Sequence, residues 1–324
     1  MDLIEKNRYK TDFKTELDKF TEKLEKYVST ENGDWAIKGF IDVYKNVYTI
    51  SSDTKIVSKI LEIHIFPQIL HFAESIGYKI ILAEKQNWYP DLTFVNKENE
   101  NVKFALDIKT TFRRNDGITF RKTAGFTLGS HGGYFKERNK DKNIQFPYNQ
   151  YTGHYCLGVI YTRTDIVENL AETEIFQVQE LQMMDDSNTK ILEKELQNAT
   201  VGQREVTTVQ NLKSITSVIK DFDFFAAEKW KIASDKQGSG NTANIGSIVD
   251  IADLKSENGI FSQLGEEWFD EYWINHGSAT MIKDGKPVKI TSLKDFLEFK
   301  GRTDLWDKVI RRASVYKTSK KTEK

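Results

Sequence analysis

The chain has 324 residues, 39% of them hydrophobic and 29% charged, with a formal net charge of −1. That is enough apolar material for one large domain or two ordinary ones, and no stretch approaches the roughly 20 apolar residues that cross a bilayer. A lone cysteine, Cys156, excludes a disulfide framework and a cysteine-based zinc site, and the charged start Met1-Asp2-Leu3-Ile4-Glu5-Lys6 is unlike a signal peptide; together these predict a cytoplasmic protein.

Residues 1–28 read as an N-terminal helical extension, with Leu17, Phe20, Leu24 and Tyr27 at helical spacing, packed on the body or on a partner. Asp53-Thr54 offers an N-cap to a helix over 55–66, in which Ile56, Ile60 and Ile63 repeat every three or four residues. Pro67 either kinks that helix or starts another, and Gly77 ends it. Tyr78–Leu82 has a strand pattern; residues 91–95 and 103–111 are two more, joined by the polar turn 97–101 as a hairpin. The region 112–145 is basic and carries Gly125, Gly129, Gly132 and Gly133, while 151–161 is apolar and suits helix or strand equally. Residues 165–208 form a polar, helix-prone insertion; 222–233 read as a strand around Trp230, leading to a loop over 237–244. From Glu266 the pattern is mostly helical and aromatic, and 301–324 is a basic tail. The body, 29–300, is then one catalytic and recognition domain.

The near-zero net charge hides an uneven distribution. Residues 103–142 hold ten basic side chains against four acidic ones, and residues 302–324 hold eight against three. A local basic field is what phosphate neutralisation requires, although any one such run also reads as a solvated face.

Strand periodicity divides 104–111 into two faces. Ala105, Asp107, Lys109 and Thr111 share one; Phe104, Leu106 and Ile108 share the other. An antiparallel hairpin with Asp91 opposite Asp107 has its turn centre at Asn99, inside the polar segment. Opposed residues have Cβ atoms about 4.5–5.5 Å apart. Carboxylates that close repel unless a proton or a cation lies between them, and hard divalent cations take oxygen ligands. With Lys109 beside them, the set suits metal-assisted phosphodiester hydrolysis. Taken alone, Asp-x-Lys in a strand is also an ordinary surface ion pair.

Tyr89-Pro90-Asp91 followed by Asp107-Ile108-Lys109-Thr110-Thr111 resembles the Pro-Asp…(Asp/Glu)-x-Lys signature of the restriction endonuclease superfamily, and within it the EcoRV-like type II enzymes. Further matches follow in order: Ser52-Asp53-Thr54-Lys55 ahead of Glu62, Gln86-Asn87, Phe126-Thr127-Leu128-Gly129, Lys142-Asn143-Ile144, Tyr161-Thr162-Arg163, Lys229-Trp230, and Gly238-Ser239-Gly240-Asn241-Thr242 leading to Asn244-Ile245-Gly246-Ser247-Ile248. The likeness runs from about residue 35 to 275, broken by the 165–208 insertion.

The resemblance implies an α/β (α+β) subunit with a mixed central sheet flanked by helices. It implies a homodimer on double-stranded DNA, using Mg²⁺ and paired with a cognate DNA methyltransferase. Glu62, Asp91, Asp107 and Lys109 would be catalytic, the three acids also serving as metal ligands. Gly238, Ser239, Gly240, Asn241 and Thr242 would read base edges in the major groove, with Gln86 and Asn87 on the minor-groove side; Thr111 and Lys142 would touch phosphates. The implied reaction is cleavage of both strands at a palindrome resembling GATATC, with a blunt central cut. Without the family, the Gly238–Thr242 run is a plain turn, and the five histidines show no metal spacing. Two other readings remain: a sequence-specific DNA-binding protein without catalysis, and a structure-selective repair or recombination nuclease of the same superfamily.

Overall fold

The computed structural model describes residues 1–43, 46–85, 87–115, 120–164, 175–177, 215–238 and 243–309. In chain order they form α1 (Leu3–Val28), β1 (Gly39–Ile41), β2 (Asn46–Thr49), α2 (Thr54–Ser75), β3 (Tyr78–Leu82), β4 (Leu92–Asn96), β5 (Lys103–Phe112), β6 (Thr127–Ser130), α3 (Gly133–Lys136) and β7 (Gly153–Arg163). Then come β8 (Ile175–Gln177), β9 (Ile219–Glu228), β10 (Ala233–Gln237), β11 (Asn244–Ser247), α4 (Ile251–Lys255), α5 (Glu266–Asn275), β12 (Thr280–Lys283), β13 (Lys286–Lys289) and α6 (Leu293–Phe299). The mixed α+β architecture expected from the sequence is the one observed.

These residues divide into two compact units. The first, Met1–Lys23, Pro67–Ile160 and Phe224–Lys324, holds most of the central sheet, whose order is β3-β4-β5-β7-β9. Its strands β3, β4 and β5 are antiparallel neighbours. One sheet face lies under helices: Phe13 of α1 stacks on Phe104 at 4.1 Å and meets Phe94 and Tyr155, each at 5.2 Å. Phe72 of α2 adds to it, 5.9 Å from Phe94 and 4.6 Å from Phe20. On the opposite face, Ala105, Cys156, Phe225 and Ala227 join a second core with Tyr89, Phe135, Tyr148 and Phe269 of α5. The two faces follow from the strand period alone, as Phe104 and Ala105 illustrate. Gly158 of β7 lets two strands close up: a Cβ there would sit 2.0 Å from the Phe225 ring. The same unit holds the small sheet β10-β11-β6 and the β12-β13 hairpin.

The second unit comprises Leu24–Phe66 and Tyr161–Asp223, and contains the small sheet β1-β2-β8. In it the Trp35 ring is fully buried, and its Nε1 donates to His64 Nδ1 at 3.3 Å.

Helix α2 begins as its cap predicts, with Asp53 Oδ1 accepting from Lys55 and Ile56 N–H at 2.9 and 3.2 Å. It is one helix, running through Pro67. The carbonyl that Pro67 cannot satisfy belongs to Ile63, which is exposed, so water can take its place. Length and composition alone would let α2 cross a membrane. Val57, Leu61, Ile65 and Ile69, one per turn, are fully buried, which is the stripe of a core helix.

Three sequence expectations change. The ambiguous 151–161 segment is β7, buried on both faces, which is why it lacks alternation. The strand expected over 222–233 stops at Glu228, and a 3-10 turn, Lys229–Ile232, carries Trp230. Lys229 and Ile232 both turn inward, a spacing of three that a strand cannot supply. The C-terminal part is interrupted by β12-β13, whose turn residues Asp284 and Gly285 have φ of 51° and 75°. Asp-Gly with both φ positive is a type I′ hairpin, a signal present in the sequence. Of the 165–208 insertion, only Ile175–Gln177 is described, as a strand pairing with β2; of the basic tail, residues 301–309 are described.

Phe13→Ala should lower unfolding free energy by about 3–5 kcal/mol in chemical denaturation, because Phe13 fills the centre of the aromatic core. A loss under about 1 kcal/mol would mean that α1 is not part of that core.

Candidate active site

The site begins with pairing between β4 and β5. Leu92 lies opposite Leu106 and Thr93 opposite Ala105, so the ladder's next step sets Asp91 beside Asp107. Three bonds tie this end together. Ile108 N–H donates to Asp91 Oδ2 at 2.8 Å, Asp91 N–H donates to Asp107 Oδ1 at 3.2 Å, and Lys109 Nζ reaches Asp107 Oδ2 at 3.1 Å. Asp107 is buried at 6% exposure, whereas Asp91 is exposed. Upstream, Tyr89 bridges to Ile144: its N–H donates to Asn143 O, and its carbonyl accepts from Gln145 N–H. The Tyr89–Pro90 peptide is cis.

Burial works against the Lys109 ammonium, but the carboxylates of Asp107 and Asp91 outweigh it and hold its pKa above the ordinary lysine value. Lys109 is therefore a fixed cation at neutral pH. Because its folded pKa is raised, its stabilising contribution is complete below the ordinary lysine range, near pH 10.4, and is lost as pH climbs through the raised value.

Asp91 and Asp107 present hard oxygen donors side by side, one buried and one open to solvent, a donor set that fits Mg²⁺ or Mn²⁺ completed by water and phosphate oxygens. Among the described residues, no group of three or more His, Cys, Asp and Glu side chains converges on one point. Glu62 belongs to the second unit, half-buried on α2 and paired with Lys59 at 2.8 Å.

The other residues singled out in the sequence are dispersed. Thr111 is buried at the end of β5, and its hydroxyl donates to Gly125 O at 3.3 Å. Lys142 is exposed in the turn before Ile144, and Asn87 is exposed between β3 and β4. Gly238 is exposed at the end of β10, its N–H donating to Asn244 O at 3.0 Å. A Cβ on Gly238 would come 2.7 Å from Thr127 Cγ2, so the close approach requires glycine. Gln86, Ser239, Gly240, Asn241 and Thr242 lie outside the described residues. Sequence reasoning met Tyr89 and Lys229 only inside matched runs, and missed that they come together with Tyr148 and His154, all four buried. They come from separate segments, so no local pattern marks them.

Asp107→Asn should let Lys109 lose its proton more readily. Amine acetylation followed by mass spectrometry at pH 9 should find Lys109 modified faster than in the wild type. An unchanged rate would mean that Asp107 does not hold the ammonium.

A family model described as restriction endonuclease EcoRV matches residues 31–193 and 190–301. The type II restriction enzyme EcoRV of Escherichia coli is 30% identical over 273 residues, covering 84% of this chain and 94% of that enzyme. Match and geometry coincide, because Asp91, Asp107 and Lys109 lie within the matched span and converge at the paired ends of β4 and β5. By its sequence across most of its length, the chain belongs to the EcoRV family of restriction endonucleases.

Proposed function

We propose that this protein is a Mg²⁺-dependent type II restriction endonuclease that hydrolyses both strands of double-stranded DNA at a short palindrome. The observation that carries this is the Asp91–Asp107 pair with Lys109 bonded to it, on a chain whose relative in Escherichia coli is named a type II restriction enzyme. The acids Asp91 and Asp107 would hold the divalent cation, with Glu62 as an auxiliary acid. When bound, the cation neutralises phosphate charge and makes its water more acidic. The residues themselves do the rest. Lys109, kept protonated by its neighbours, offers N–H donors to a phosphate oxygen and to the attacking water, orienting both. Asp107, anchored through Oδ2 by Lys109 and through Oδ1 by the Asp91 amide, presents a fixed rather than a wandering charge.

Sequence choice falls to other segments. Gly238, Ser239, Gly240, Asn241 and Thr242 would reach base edges in the major groove, where an Asn amide pairs with adenine and a Thr methyl packs on thymine. Gln86 and Asn87 would lie on the minor-groove side. Thr111 and Lys142 would contact phosphates and set register. A palindrome read by one kind of subunit calls for a twofold dimer, so a homodimer is part of the proposal. The site is GATATC or a close variant, cut bluntly at its centre. A cytoplasmic location and a partner methyltransferase follow, since a host must protect its own sites.

The test is direct. With Mg²⁺ and a plasmid of known sequence, the purified protein should give discrete fragments whose mapped ends fall at one palindrome. A smear, or no cutting, would reject the assignment, and ends at unrelated sequences would reject the site. Asp107→Ala should reduce cleavage by at least about a thousandfold while the folded near-ultraviolet spectrum persists. Wild-type cleavage by that variant would remove Asp107 from the reaction.

A further inference from the structure

Lys229 opens the 3-10 turn after β9, yet its side chain runs into the protein. The residue is 3% exposed, and Nζ has no hydrogen-bond partner among the described residues. Aromatic faces surround it instead, with Nζ 4.9 Å from the Tyr89 ring centre, 5.5 Å from Phe135 and 5.6 Å from Tyr148. Gly129 closes another side, since a Cβ there would stand 3.6 Å from Nζ. The box is itself pinned. The Tyr89 hydroxyl and His154 Nδ1 are 2.9 Å apart, Tyr148 stacks on His154 at 3.9 Å, and Tyr89 stacks on Tyr134 at 5.1 Å.

An ammonium buried without hydrogen bonds is costly, and cation–π attraction recovers only part of that cost. For filling space, methionine would serve as well and carry no desolvation penalty. A charge held at such expense needs a compensating carboxylate, and Asp107 of the acidic pair is the foremost one, with Asp270 behind it. Burial pushes the Lys229 pKa down to about 8; Asp107 is the strongest influence raising it, Asp270 helps, and Lys109 and Arg138 oppose. The group is thus mostly charged at neutral pH. Tyr89, the ring nearest the ammonium, is followed directly by Pro90-Asp91, so box and acidic pair share one segment.

We propose that Lys229 is a positioning residue for the candidate site: a built-in countercharge, held against Tyr89 by the aromatic box, that moderates the field of Asp91 and Asp107 and so sets how tightly they take a divalent cation. This rests on reading those two acids as cation ligands. Lys109 differs, because it is bonded directly to Asp107 rather than held apart by rings. Lys229 touches neither substrate nor cation and acts only through the acids and Tyr89.

The test is Mn²⁺ binding to the full-length, DNA-free protein, followed by calorimetry in the wild type and in Lys229→Met, which keeps the volume and removes the charge. Loss of one nearby positive charge should tighten Mn²⁺ binding about tenfold. Unchanged or weaker binding by a variant with wild-type thermal unfolding would overturn the proposal, since packing alone predicts that result. A second measurement leaves position 229 intact. In protein carrying ¹³Cε-labelled lysine, the Lys229 signal should titrate at lower pH in Asp107→Asn than in the wild type, and equal midpoints would overturn the coupling. This arm needs neither metal nor a change at 229, so it decides even where the methionine variant does not fold. A wild type that takes up no Mn²⁺ would count against the acidic pair as ligands, and the titration would still decide whether Lys229 and Asp107 are coupled.

Discussion

Antiparallel pairing of β4 with β5 is the constraint on which the candidate site depends. Side chains alternate along a strand, so a slip of one residue would turn Asp107 and Lys109 onto the face that Phe13, Phe94 and Phe104 occupy. Burying a carboxylate and an ammonium there would leave both without adequate solvation. The register is held at both ends. At the turn, Asn96 Oδ1 accepts from the N–H groups of Glu98 and Asn99, and Asn99 Oδ1 accepts from Asn101 N–H. At the open end, Ile108 N–H binds Asp91 Oδ2, so the side chain that needs positioning also continues the pairing.

The two sheet faces then take different tasks. Aromatic packing of α1 and α2 makes one face a rigid support, with ring stacking that fixes Phe104 and hence the strand bearing Asp107. The other face carries charge in a setting of tyrosines and phenylalanines, where water is scarce and each charge must be met by a neighbour. Asp107 acts on two lysines of different character. Lys109, bonded to it, has a raised pKa; Lys229, among rings, has a lowered one. The contrast follows from distance, since a bonded carboxylate overcomes desolvation and a more remote one only limits it.

The segments proposed for catalysis and for sequence choice are separate in the chain. Asp107 lies within β5 and Asp91 immediately before β4, where backbone hydrogen bonds hold geometry closely. Gly238 and Asn244 flank the segment proposed to read bases, on the antiparallel strands β10 and β11. Gly246 permits that pairing, because a Cβ on it would stand 2.6 Å from Lys236 O. A strand scaffold thus underlies both proposed functions.

Some of this was legible without coordinates. The hairpin, its turn at Asn99 and the shared face of Asp107 and Lys109 follow from period-two alternation and pairing distance, which are local rules. The cap at Asp53 and the stop at Gly77 are equally local. Asp284-Gly285 was a legible turn that the helical pattern around it concealed. Strand β7 could not be told from a helix, because burial on both faces erases the alternation that distinguishes them. The burial of Lys229 among rings was invisible, since its neighbours Tyr89, Phe135 and Tyr148 lie some 80 to 140 residues earlier and meet it only when β9 joins the sheet. The sequence by itself therefore determined which residues alternate, cap and turn, and with them the acidic pair. Tertiary structure alone decided which charges are buried together, because burial and Coulomb interaction depend on distance through space rather than along the chain.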